Sequence, residues 1–277
     1  MGGSNVTLIL IACVVVLLAA FAAWALIRPS DWLLARLSSL EPGVVYRIDT
    51  VERLIALTID DAPHPEVTPE ILRVLREYRT LATFFVIGSH AEAHRELVES
   101  IRSDGHELAN HLFTDRISAS LSDEEFVEEL QRTDGLIQPL GSPRWCRPGS
   151  GVITKRIARI MRMNGYTPVA ATAYPLDLRT SVDLTARQFL ENVRPGAVLV
   201  LHDGRPDRKR TVEVLERVLP RLEEMGYRAT TLGELEKVVR NRTVLAARLE
   251  QDGAAESPNG PGAQKRPGSC KPGRSSV

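Results

Sequence analysis

The sequence predicts an α/β fold of about seven parallel strands with helical crossovers, closed as a barrel or spread as a doubly wound sheet. Three observations carry this expectation. Strand-like and helix-like segments alternate through most of the 277 residues, the pattern of repeated βα units. Gly105, Gly165 and Gly226 each follow a helical pattern, where a glycine just past the last turn ends a helix. Five stretches carry polar residues at or just past strand ends, and in a parallel sheet such ends gather on one rim.

Residues 54–60, 82–88, 107–111, 144–147, 167–172, 197–202 and 228–232 read as strands. Residues 69–78, 91–103, 123–137, 154–164, 184–192 and 210–225 read as helices. Thr68-Pro69 reads as an N-cap followed by proline at the first helical position, and Ser122 with Glu125 as a capping box.

The chain ends differ from this middle. Residues 8–27 are a continuous apolar run of 20 residues without a charge. A helix of that length spans about 30 Å, the hydrocarbon thickness of a bilayer. Trp24 near its end and Arg28 just after it suit an interfacial boundary. The run is long and no Lys or Arg precedes it, which disfavours a cleaved signal peptide. The expected organisation is a transmembrane anchor in 1–28, a connector in 29–50, a folded body in 51–240 and a disordered tail in 245–277. That tail is rich in Gly, Pro, Ser and charge, with almost nothing large and apolar to bury.

Lys+Arg and Asp+Glu are equal at 35 each, so no basic excess points to nucleic acid. Cys13, Cys146 and Cys270 are scattered, with no Cys-x-x-Cys. Neither a zinc-thiolate site nor a disulfide framework is indicated.

The chemistry gathers at the polar strand ends. Asp60-Asp61 closes an apolar strand. Two like charges at the mouth of a core repel, and burial raises the cost. A metal cation, an arginine or open water must offset it. The other ends are Asn110-His111 with Asp115, Arg147-Pro148-Gly149-Ser150-Gly151, Asp177, and His202-Asp203. On a helical turn, His111 and Asp115 would share one face. With Asp61 they make a one-histidine, two-carboxylate set for a divalent first-row metal, open to water and substrate. Arg147 offers a guanidinium fork for a carboxylate. The turn at 148–151 could aim backbone N–H groups at one oxygen. His202 beside a carboxylate such as Asp177 could serve as an acid near neutral pH. His64, His90, His94 and His106 lack comparable company.

These stretches, in this order, resemble the polysaccharide deacetylases, the carbohydrate esterase family with the NodB homology domain. The resemblance runs over about residues 54–235. Thr58-Ile59-Asp60-Asp61-Ala62-Pro63 is similar to the family's first motif, and residues 82–88 to its second strand. Residues 105–111 are similar to the approach to its metal histidines. Arg147-Pro148-Gly149-Ser150-Gly151 stands for the arginine-proline motif and Leu201-His202-Asp203 for the last one. The resemblance implies a distorted (β/α) barrel and a hydrolase that removes N-acetyl groups from a chitin- or peptidoglycan-like glycan. It implies one divalent metal ion: zinc, with manganese, cobalt or nickel as alternatives. Asp60 then looks like the general base, Asp61 and His111 like metal ligands, and Arg147 like the residue that orients the base. His202 looks like the general acid and Asp177 like the residue that tunes it. The Ser150 backbone N–H falls where the family places an oxyanion donor.

Three departures stand out. The family's usual His-x-x-x-His ends here in Asp115. Its aromatic residue in the arginine-proline motif is Ser150, and no tryptophan follows Asp177. The last two remove surface on which a sugar ring could stack. Two other readings are a deformylase or deacetylase of a lipid-linked sugar at the cytoplasmic membrane face and an inactive glycan-binding pseudoenzyme. Arg28 and Arg36 after the span favour a cytoplasmic body, and family habit favours an external one. The expectation taken is a single-pass membrane protein, inserted through residues 8–27, with its body on the extracytoplasmic side.

Overall fold

A computed structural model of the chain describes residues 11, 13–16, 28–137, 144–174 and 180–255. Two compact units are present, Met1–Val239 and Arg240–Val277. The first contains the sheet. Its strands are β1 (Leu54–Ala62), β2 (Thr83–Val86), β3 (Glu107–Asn110), β4 (Trp145–Cys146), β5 (Thr167–Pro168), β6 (Val198–His202) and β7 (Arg228–Thr230). The helices are α1 (Asp31–Leu40), α2 (Thr68–Glu77), α3 (Gly88–Ala93), α4 (Arg95–Ser103), α5 (Asp123–Ile137), α6 (Lys155–Met163), α7 (Val182–Glu191), α8 (Lys209–Glu224) and α9 (Leu232–Ala255).

The strand order is β5-β4-β3-β2-β1-β6, with β7 also on β1. Every pairing is parallel. The segment leaving β5 then turns back toward the other edge. Ala173 bridges Leu199 of β6, and Thr172 N–H donates to the Val198 carbonyl at 2.8 Å. The sheet is therefore curled toward closure, which agrees with a distorted (β/α) barrel.

Alternation along β1 builds two layers. Ile55, Leu57 and Ile59 join a cluster with Leu72, Leu75, Leu215 and Leu219 of α2 and α8. Leu54 and Ala56 join another, with Phe85, Trp145, Val169 and Val198 from neighbouring strands. Because strand side chains alternate faces, Thr58 and Asp60 share the face of Leu54 and Ala56. That inner face runs from apolar at the start of β1 to polar at its end.

The capping box and the helix-ending glycines form where the sequence predicts them. Ser122 and Glu125 exchange their hydrogen bonds as a capping box, at 2.8 and 3.1 Å. Gly105, Gly165 and Gly226 are all left-handed, with φ of 85°, 78° and 73°. Thr68 is a correction. Val67 is the N-cap, and Thr68 is the first helical residue. Its hydroxyl is spent across the loop, accepting from His64 N–H at 2.7 Å and donating to Asp203. The expected helix at 91–103 is two helices, because His94 leaves helical geometry at φ −134°. The expected connector holds α1, capped by Ser30 accepting from Leu33 N–H. The expected disordered tail begins inside α9, which continues to Ala255.

The membrane expectation is corrected. Among the described residues no helix is long and apolar enough to cross a membrane. A span needs about 20 predominantly apolar residues, and the longest described helix, α9, is interrupted by charges throughout. A single-pass membrane protein with an extracytoplasmic body is therefore set aside. Of residues 8–27, only Ile11 and residues 13–16 are described.

Candidate active site

Asp60 and Arg147 form the buried centre of the rim. Asp60 is 3% exposed and Arg147 is completely buried. Arg147 Nη1 donates to Asp60 Oδ1 at 2.5 Å and to Thr58 Oγ1 at 2.9 Å. Its Nη2 donates to the Ala170 carbonyl at 3.1 Å, and its Nε to that of Val169 at 3.4 Å. The guanidinium also lies over the Phe85 ring, 4.2 Å from its centroid. A buried charge needs a partner and satisfied donors, and Arg147 has both. The Asp60 carboxylate is consequently fixed in direction.

Asp61 reaches the same rim by a different device. Consecutive strand residues point to opposite faces. Here Ile59 pairs with Phe84 and Ala62 with Val86, so three steps on β1 match two on β2. This bulge carries Asp61 in left-handed backbone, at φ 69°, and a bulge re-aims side chains near functional sites. Asp61 Oδ1 then lies 3.3 Å from His111 Nε2.

The His111 ring is held from behind. Its Nδ1 donates to the Arg147 carbonyl at 2.5 Å, so Nε2 is the nitrogen that faces Asp61. In neutral imidazole that nitrogen is a lone pair. A lone pair aimed at a carboxylate needs a proton or a metal cation between them. The electrostatics agree. Burial pushes Asp61 up, but the His111 hydrogen bond and the charges of His111, His202 and Arg208 outweigh it, bringing it down to about 2. Burial pulls His111 down, but the Asp61 hydrogen bond and the Asp60 and Asp61 charges outweigh it and hold it above its ordinary value. A carboxylate and an imidazole with its far nitrogen anchored are a suitable pair for a divalent metal.

Asp115 does not join them. It is exposed and lies outside any helix, between β3 and α5. Leu112 turns into left-handed backbone, at φ 66°, so the helical spacing that would align His111 and Asp115 never forms. Among the described residues no group of three or more His, Cys, Asp and Glu that could hold a metal ion is assembled.

Two further elements carry predicted site residues. His202 ends β6 in direct register with Asp60. Ser150 lies in the tight turn Gly149–Gly151, whose Gly149 carbonyl accepts from Ser118 Oγ at 3.1 Å. Asp177 lies outside the described residues.

Several groups receive no role from the sequence, Asp203 and Thr58 among them although both stand in its motifs. Asp203 is fully buried, accepts from Thr68 Oγ1 and from Gly204 N–H, and donates its own N–H to the Asp60 carbonyl at 2.8 Å. Burial, joined by the Asp61 charge, pushes its carboxyl up to about 7 against those hydrogen bonds. Thr58 was findable, because it sits two residues before Asp60 on one face of β1. Arg208, 3.8 Å from Asp61 Oδ2, and His90 come from helical segments remote in sequence, with no motif to mark them.

A sequence model described as polysaccharide deacetylase matches residues 47–169. A peptidoglycan-N-acetylglucosamine deacetylase of Bacillus cereus is 32% identical over 202 residues, spanning 71% of this chain and 95% of that protein. The chain belongs to the polysaccharide deacetylase family. Another family member, a chitooligosaccharide deacetylase of Sinorhizobium fredii, is 35% identical over 187 residues, 62% of this chain and 87% of that one. Among solved family structures, a peptidoglycan N-acetylglucosamine deacetylase matches with a TM-score of 0.67 and 26% identity, over 72% of this chain and 95% of that one. A pseudoenzyme of the family from Bacillus anthracis matches with a TM-score of 0.64 and 27% identity, over 72% and 71%.

Proposed function

We propose that this chain is a metal-dependent hydrolase that removes acetyl groups from N-acetylglucosamine units of a peptidoglycan- or chitin-like glycan. The observation that carries the reading is Asp60 held by Arg147 directly beside the Asp61–His111 pair. A pure binding site has no need of a fixed buried carboxylate next to a cation-binding pair. The two kinds of relative, acting on peptidoglycan and on chitooligosaccharides, support the substrate class.

Asp61 and His111 would hold the metal. A divalent ion there would supply polarisation of a carbonyl oxygen and a lowered pKa of water. Asp60 accepts the proton of the attacking water, in the direction Arg147 fixes. The Ser150 N–H donates to the oxygen that gains charge as the carbonyl carbon becomes tetrahedral. His202, on the strand next to Asp60, donates a proton to the leaving amine. Asp177 tunes that histidine.

Asp60→Asn tests the central role. It keeps the shape and removes the base, so turnover of N-acetylated chitooligosaccharide should fall by about 10²- to 10⁴-fold, while zinc content stays that of the parent chain. Undiminished turnover would remove Asp60 from the mechanism. A second reading, a glycan-binding pseudoenzyme, is favoured by the exposed Asp115 and by the pseudoenzyme of the same fold. Metal analysis separates the two: stoichiometric metal that is lost in His111→Ala supports the hydrolase, and none under any loading supports the pseudoenzyme.

A further inference from the structure

Asp61 is held in an unusual backbone conformation, and the carbonyls around it show how. Asp60 O accepts from Asp203 N–H at 2.8 Å, and Ala62 O accepts from Ile87 N–H at 2.9 Å. Between them, Asp61 O lies 2.9 Å from the side chain of His90, at Nδ1. A carbonyl oxygen only accepts, so Nδ1 carries the proton. His90 is half-buried on α3. Gly204 packs against the same residue, where a Cβ would sit 2.5 Å from Asp61 O and 2.6 Å from Asp61 Cβ.

We propose that His90 is a positioning residue that locks Asp61 in left-handed backbone, so that its carboxylate faces His111. Left-handed φ is unfavourable for a residue with a Cβ, and such a conformation persists where its surroundings over-determine it. The flanking carbonyls are held by backbone N–H groups that any sequence supplies. The side-chain donor at the Asp61 carbonyl is the His90 imidazole. Without that donor, the peptide after Asp61 can rotate toward ordinary strand geometry. The carboxylate would then turn from His111 toward the opposite face of β1. The inference rests on the reading of Asp61 as a metal ligand, and it adds a residue that holds this ligand from outside the metal's reach.

The test uses the full chain and three variants. His90→Ala removes ring and donor, His90→Phe keeps a ring without the donor, and His90→Asn places an amide N–H near the position of Nδ1. Zinc affinity is measured by chelator competition, and the Asp61 backbone is read from crystal structures of the parent and variants. The expected result is zinc binding weakened about 10- to 100-fold in His90→Ala and His90→Phe, the range for residues that orient metal ligands. His90→Asn should recover most of that loss, and Asp61 should leave left-handed backbone in the two donor-less variants only. An Asp61 that keeps its φ and its contact with His111 in His90→Ala and His90→Phe overturns the proposal. If the parent chain binds no zinc, the metal reading fails on its own, and the crystallographic comparison still decides the role of His90.

Discussion

Arg147 ties the two halves of the rim together. Its side chain holds Asp60, and its carbonyl holds the His111 ring. Replacing it with methionine keeps much of the volume but strands a buried carboxylate and leaves the Ala170 carbonyl without this donor. Removing one partner of a buried pair costs about 3–5 kcal/mol, so Arg147→Met should lower stability by that amount in urea unfolding, as well as activity. Asp203 acts in the opposite sense. Its folded pKa is about 7, well above the ordinary carboxylate range, because burial disfavours the charge. The folded state therefore holds the proton more tightly than the unfolded chain does. The resulting stability is fully present below the unfolded carboxyl pKa of about 4. It is lost as pH rises through the folded value, toward 7. Asp203→Asn removes that proton exchange, so unfolding of metal-free protein should lose the part of the downward slope that Asp203 supplies over this window. An unchanged slope would show that another group carries it.

At the scale of the element, the end of β1 is where the fold meets the chemistry. A regular strand would have sent Asp60 and Asp61 to opposite faces. The bulge, the left-handed Asp61 and the loop after β6 bring both to one rim. Gly204 belongs to that packing. It has φ 81°, and a Cβ there would fall 2.5 Å from a backbone oxygen with little room to yield. Gly204→Ala should therefore cost at least the 1–3 kcal/mol of a strained backbone position. It should also weaken zinc binding, because the clash falls on Asp61 itself. A variant with parental stability and zinc affinity would show that β1 adjusts freely.

For the whole molecule, the two proposed metal ligands come from separate parts of the sheet. Asp61 is the penultimate residue of β1 and His111 follows β3, with β2 between them. The unfolded chain does not hold them together, so a bound metal stabilises the folded state. Zinc at 100 times its dissociation constant should add about 2.7 kcal/mol to the unfolding free energy. Chelation should take it away, as read from paired urea titrations. No difference between zinc-loaded and chelated protein would contradict metal binding by the folded chain.

The sequence by itself determined the strand positions, the parallel α/β class, the capping box at Ser122 and Glu125, and the family resemblance. These rest on periods, caps and short motifs, which are local. It also brought forward Asp60, Asp61, His111, Arg147 and His202 as polar strand ends, because a parallel sheet gathers such ends on one rim. Tertiary structure decided which of them meet. Asp115 was matched to His111 by helical spacing, and a left-handed Leu112 breaks that spacing. His90 and Arg208 carry no motif, and the last motif gives no sign that Asp203 ties its backbone to Asp60, since these contacts cross between elements remote in sequence. The opening pair of carboxylates was legible as an electrostatic problem. Its solution, Arg147 on one and His111 on the other, required the curl of the sheet.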